Sequence, residues 1–144
     1  GNTLKEKLNI AVHCIDFMKK LKKTPKIATL SYARPGDYGR SEEINQSLDD
    51  AKKLTQLIEK HTNQKIENSC VLIDQAIKNK CNILIAPNGI VGNTIFRTLV
   101  LLNSWPSFGA ITFGIDDIYI DTSRDQSREG YLRSLELAYK LAKL

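Results

Sequence analysis

The stretch NILIAPNGIVGNTIF, residues 82–96, decides how the rest of the chain is read. Residues 82–86 are a compact apolar run, the composition of a strand buried in a parallel sheet. Residues 87–94, Pro-Asn-Gly-Ile-Val-Gly-Asn-Thr, interpose two glycines and two asparagines. Apolar residues then resume at Ile95, Phe96, Leu99, Val100 and Leu102 with helical spacing. A strand, a glycine-bearing loop and a helix in succession predict that the flanking sequence alternates in the same way.

Upstream it does. Thr3 and Glu6 have capping-box spacing, and Leu4, Leu8, Ala11, Val12, Ile15, Met18 and Leu21 recur at helical intervals up to Pro25, before which a helix should stop. Residues 27–31 (IATLS) form a β-type run that ends in the loop YARPGDYGR, residues 32–40. A second helix is announced from Ser41 by Ile44, Leu48, Ala51, Leu54, Leu57 and Ile58. The polar stretch TNQKIENS separates it from a shorter helix over 70–79. Downstream, Trp105-Pro106-Ser107 breaks the helix, and GAITFGI (109–115) and IYI (118–120) read as strands around an Asp116-Asp117 turn. A last helix runs from about Ser127, with Tyr131, Leu135, Ala138 and Ala142 on its expected inner face. Strands alternating with helices give the α/β class, with layered elements and a mostly parallel sheet.

The 144 residues suffice for one domain with a core of its own. A 42% hydrophobic and 26% charged content is that of an ordinary globular protein. The formal charge of +5 suits an anionic ligand, but the densest basic run, Lys19, Lys20, Lys22 and Lys23, falls at a helix end, where cations favour the dipole. Aromatic residues are not interleaved with it, so a nucleic-acid partner is not indicated. No run approaches the ~18 apolar residues of a membrane span, and the reading is cytoplasmic. Cys14, Cys70 and Cys81 are odd in number and lack C-x-x-C spacing, which indicates neither a disulfide framework nor a zinc site.

In parallel α/β sheets, ligands bind beyond the carboxyl ends of the strands. Three loops there carry candidate residues. The first offers Arg34, Gly36 and Arg40, with the exposed amides of a helix beginning near Ser41; a surface loop with incidental arginines is the competing reading. The second offers Asn88, Gly89, Gly92 and Asn93, whose glycines let backbone N–H groups approach an anion; it is neither a Walker A loop nor a G-x-G-x-x-G fingerprint, and Asn-Gly turns and an Asn93 N-cap are common. The third, Asp121-Thr122-Ser123-Arg124-Asp125, places Ser123 to cap the last helix and Arg124 to reach a phosphate, with an ion pair from Arg124 to Asp121 or Asp125 as the alternative.

Together these loops resemble a known family. NILIAPNGIVGNTIFRTL is similar to the strand, Pro, Gly-Asn, helix segment of phosphate acetyl/butyryltransferases and to a segment of the PlsX-type acyltransferases; FGIDDIYIDTSRDQS and KIATLSYARPGDYGR match their other two segments in order from about Lys26 to Ser127. The combination Tyr32–Asp37, Ala86–Asn93 and Asp121–Asp125 resembles most closely the methanogen MtxX family, which carries the label methyltransferase subunit X and the name methanogenesis marker protein 4. The resemblance implies a three-layer α/β/α fold of the isocitrate/isopropylmalate-dehydrogenase type and a homodimer. It implies further that residues 1–144 are one α/β domain, the carboxyl-terminal lobe of a longer two-lobed protein.

For function, the resemblance implies a group transferase whose cleft binds an anionic or phosphorylated small molecule, with coenzyme A or a phosphorylated metabolite as cofactor classes and a methyltransferase complex as partner. A phosphate acyltransferase and a non-catalytic ligand-binding subunit are the alternatives. Ser123 and Arg124 fall where the transacetylases contact the acyl phosphate. Their proposed base, an aspartate, falls at Gly130, which leaves Glu129 as the candidate catalytic residue. Neither an S-adenosylmethionine-type acidic glycine-rich loop nor a cobalamin-type His motif accompanies the methyltransferase label.

Overall fold

The computed structural model describes residues 1–124 and 126–144. The chain divides into two compact units, residues 1–93 and 94–144. The first unit contains α1 (Leu4–Lys20), β1 (Ile27–Leu30), a 3-10 turn (Pro35–Asp37), α2 (Glu42–Thr62), β2 (Glu67–Cys70), α3 (Ile73–Lys78) and β3 (Ile83–Ile85). The division falls inside α4 (Gly89–Phe96), which continues as a π-helical segment, Arg97–Leu102. The second unit holds β4 (Ala110–Ile111), β5 (Ile120–Asp121) and α5 (Arg128–Leu141).

Local signals explain the helix starts. Thr3 Oγ1 accepts from Glu6 N at 3.2 Å while the Glu6 carboxylate accepts from Thr3 N at 3.1 Å, a complete capping box for α1. Ser41 accepts from Ile44 N and caps α2. α2 ends at Asn63, whose left-handed φ of 55° is tolerated by asparagine.

In the first unit the three strands are parallel, in the order β2-β1-β3. β1 is central and buried at all four positions, as its apolar sequence demands. Its one polar side chain, Thr29, is wholly buried and shares a hydrogen bond with Thr55 at 2.7 Å, which removes the penalty of an orphaned hydroxyl. α1 and α2 pack on each other and on the sheet. Their apolar stripes close a core of Ala11, Ile15, Leu54 and Ile58 against Ile27, Ile66, Ile83 and Ile85.

The structure corrects several expectations. The polar stretch TNQKIENS is not all connection, because Glu67–Cys70 pairs with β1 as the edge strand β2. Its outer residues are polar and held by one another rather than by the core: Glu67 accepts from Ser69 and Asn79. The two later strands shrink to Ala110–Ile111 and Ile120–Asp121 and pair antiparallel in a sheet of their own. On α5 the inner face is Gly130, Ser134 and Leu141; Tyr131 and Leu135, expected inside, are 47% and 67% exposed. The small residues sit inside because β5 and Gly109 approach closely: a Cβ at Gly109 would lie 2.6 Å from Ile120 Cγ2 and 3.3 Å from Ser134 Oγ.

Candidate functional site

The chain visits β2 on one side of β1 and then β3 on the other, so the strand order reverses between β1 and β3. In parallel α/β sheets that reversal opens a crevice at the carboxyl ends of the two strands, because the connections leave in opposite directions. The first two candidate loops leave β1 and β3 at this point, and a side-chain hydrogen bond joins them: Asn88 Nδ2 donates to Tyr32 Oη at 2.6 Å.

The loop after β1 is braced from within. Asp37 Oδ2 accepts from Arg34 N at 3.0 Å, and Asp37 Oδ1 pairs with the Arg40 guanidinium at 2.9 Å. Tyr32 N donates to the buried Ser47 hydroxyl of α2 at 3.0 Å. Arg34 is exposed, and Arg40 keeps 71% of its side chain in solvent despite its partner. Gly36 sits in the 3-10 turn with open space where a Cβ would go. The glycine this loop needs for its backbone is Gly39, at φ 97°, which donates its N–H to Asn45 at 2.6 Å.

The second loop is shorter than its sequence suggests. α4 begins at Gly89, so Gly89, Gly92 and Asn93 are helical, and the capping group is not Asn93 but Asn88, whose Oδ1 accepts from Val91 N at 2.9 Å. Gly92 N donates to Asn88 O at 3.1 Å, so the amides of Val91 and Gly92 are engaged inside the chain. Two asparagines five residues apart both carry capping chemistry, and sequence spacing alone does not choose between them. A Cβ at Gly89 would meet nothing within 4 Å, and one at Gly92 only Ala86 Cβ at 3.5 Å.

The third loop belongs to the second unit. α5 is capped not by Ser123 but by Ser127, which accepts from Gly130 N at 3.1 Å. Ser123 O instead accepts from Gln126 N and from Tyr131 Oη. Arg124 is exposed; among the described residues it forms no ion pair with Asp121, and Asp125 lies outside the described residues. Glu129 is exposed in the first turn of α5. Gly130 is buried, and a Cβ there would collide with the Gln126 side chain.

Sequence reasoning missed a cavity of 280 Å³ in the first unit, beside the Asn88–Tyr32 pair. Leu30, Ala51, Leu54 and Ala86 give it an apolar floor, and Lys7, Glu43, Ser47 and Asp50 give it polar walls. Gln46 donates to Asp50 at 2.7 Å. The signal available in the sequence was Lys7 itself, a lysine four residues before Ala11 and eight before Ile15, on the face that α1 buries. Among the described residues, no group of His, Cys, Asp and Glu could hold a metal ion.

No protein-family model matches the chain. It is 32% identical over 134 residues to an "Uncharacterized methyltransferase" of Methanocaldococcus jannaschii, covering 92% of this chain and 54% of that protein. It is 35% identical over 125 residues to the "Putative methyltransferase mtx subunit X" of Methanosarcina mazei, covering 86% and 44%. The chain thus spans about half the length of the relatives it matches. Among solved structures, a phosphotransacetylase from Streptococcus pyogenes superposes with a TM-score of 0.68 at 23% identity, over 99% of this chain and 46% of that one. A branched-chain phosphotransacylase from Enterococcus faecalis does so with 0.65 at 22%, over 97% and 55%. Over most of its length, then, this chain is a homologue of the MtxX proteins and has the phosphotransacetylase fold.

Proposed function

We propose that the protein binds an anionic small molecule, bearing a phosphate or carboxylate, beyond the carboxyl ends of β1 and β3, and that it serves a group transfer of the kind its relatives' names describe. The observation that carries this reading is the joining of the two strand-end loops by Asn88 and Tyr32 at the reversal of strand order. Arg34 and Arg40 supply positive charge in the first loop. Gly89, with space in place of a Cβ, opens α4 in the second. On the second unit, taken by itself, Ser123 and Arg124 are proposed as anion contacts. If these groups catalyse, they do so by stabilising charge that develops on the phosphate or carboxylate.

A non-catalytic, ligand-binding subunit is the second reading, and Gly130 favours it. The Gln126 side chain occupies the room a carboxylate would need there, and Glu129 beside it points a charged group from an exposed helical turn. Membership of a methyltransferase complex and a cytoplasmic location belong to the same proposal; the free thiols of Cys14, Cys70 and Cys81 support a reducing compartment. No helix of the described residues is long and apolar enough to cross a membrane. A homodimer is supported by the exposed Leu132, Leu135 and Tyr139 of α5, apolar surface that water penalises. We further propose that residues 1–144 are the carboxyl-terminal lobe of the longer protein.

Calorimetric titration of coenzyme A, acetyl phosphate and S-adenosylmethionine tests the binding reading on this chain, on Arg124→Ala and on Arg34→Ala/Arg40→Ala. Saturable heat with an anionic ligand, weakened in the arginine variants, is expected. Silence with all three ligands, in this chain and in the longer protein, sinks the reading, and binding without turnover selects the accessory subunit.

A further inference from the structure

Lys7 stands where the pattern of α1 calls for an apolar residue. It is 9% exposed, on the face that also buries Ala11 and Ile15. Its backbone N–H donates to Thr3 O, but among the described residues its ammonium has neither a hydrogen-bond partner nor an ion pair. The stem is buried while the ammonium, which is not among the buried unpartnered atoms, reaches the open cavity. A cation near the amino end of a helix also faces the positive end of its dipole, a cost that, among the described residues, no hydrogen bond or ion pair of the ammonium offsets. A local rule broken without structural compensation is the mark of a functional position.

The side chain lines the 280 Å³ cavity, whose other polar groups are Asn2, Tyr32 and Asn88, with Glu43, Gln46, Ser47 and Asp50 on α2. Pockets for drug-sized ligands run from about 300 Å³ upward, so this one fits a small metabolite or one end of a larger compound. We propose that Lys7 binds the acid group of a small ligand in this cavity, and that the carboxylates of Asp50 and Glu43 select a ligand that also carries an amino group. The inference rests on the anionic-ligand reading above and assigns its principal cation to α1. An ammonium satisfied by phosphate or carboxylate gains charge-assisted hydrogen bonds, and Asp50, whose Oδ1 accepts from Gln46, keeps acceptor capacity at Oδ2 for a ligand donor.

The test is a titration of the 144-residue chain with ethyl phosphate and with 2-aminoethyl phosphate. Lys7→Met is expected to weaken both probes about tenfold or more, a change of about 1.4 kcal/mol. Lys7→Arg keeps the charge and should bind within about threefold of the parent, which also covers a Lys7→Met chain that fails to fold. Asp50→Asn should weaken only the amino-bearing probe. Unchanged affinity in Lys7→Met overturns the assignment of Lys7. Equal effects of Asp50→Asn on both probes, or none, overturn the amino-group selection. If Arg34→Ala/Arg40→Ala loses binding and Lys7→Met does not, the loop reading stands and this inference falls. The opposite pattern keeps the inference and removes the arginines. Absence of binding at tens of millimolar in the parent chain overturns this inference.

Discussion

Replacing Lys7 by methionine should make the unliganded protein more stable. Methionine has nearly the reach of the lysine stem, so the packing of α1 beside Ala11 and Ile15 is retained while the charge is lost. Removing a cation from the amino-terminal end of the helix returns roughly 0.3–1 kcal/mol. That gain corresponds to a rise in Tm of roughly 4 °C per kcal/mol for a chain of this size. Urea and thermal unfolding followed by far-UV circular dichroism measure it, with Lys52→Met, exposed in the middle of α2 and away from either helix end, as control, expected within about 0.5 kcal/mol of the parent. A Lys7→Met chain less stable than the parent by about 1 kcal/mol would refute the reasoning, because the ammonium would then be supporting the fold.

Gly109→Ala should destabilise the second unit by about 2 kcal/mol or more, since the backbone is at φ 84° and the added methyl would meet Ile120 Cγ2 at 2.6 Å and Asp121 O at 2.8 Å; chemical denaturation of the variant checks this. Glu67 is held below its ordinary value of 4.5 by the Ser69 hydroxyl first, against an opposing burial effect, with Asn79 and Cys81 assisting. A carboxylate lowered on folding stabilises fully above the unfolded value and loses that contribution as pH falls through the folded one, so the stability difference between parent and Glu67→Gln should be greatest near neutrality and vanish in strong acid. Burial first, and then the Glu67 charge, raise the Cys81 thiol, so Glu67→Gln should also speed alkylation of Cys81 at fixed pH. Gly130→Asp should cost stability through collision with Gln126, and Gln126→Ala in the same chain should recover part of it; equal costs in both backgrounds would show that Gln126 is not the obstacle.

Helices and the strands β1 and β3 were legible in the sequence because their signals are local: a capping box at Thr3 and Glu6, Ser41 as N-cap, and apolar runs at 27–30 and 83–85. β2 was not, because its burial comes from pairing with β1 and its side chains are polar. The strand-end loops were legible as places, but their chemistry was only partly so. Arg40 is engaged by Asp37, a contact across one turn that spacing permits without requiring. The start of α4 depended on which asparagine faced Val91 N, a matter of backbone direction. Lys7 was visible as a charge on an apolar face, yet its meaning needed the cavity that α1, α2 and the two loops enclose.

The amide of Asn88 holds two elements at once: its oxygen caps α4 and its nitrogen holds Tyr32. The next residue is glycine, whose backbone nitrogen can attack the side-chain carbonyl with loss of ammonia, and water opens the resulting succinimide to aspartate or isoaspartate. Conversion to aspartate would preserve the cap, since a carboxylate also accepts from Val91 N, but it would replace the donor facing Tyr32 with an acceptor. The phenol would then have to turn its own proton toward residue 88. The aspartate product would leave the helix intact and reverse the direction of the bond between the two loops, changing the polarity of the crevice without changing the fold, whereas isoaspartate would lengthen the backbone at the cap itself.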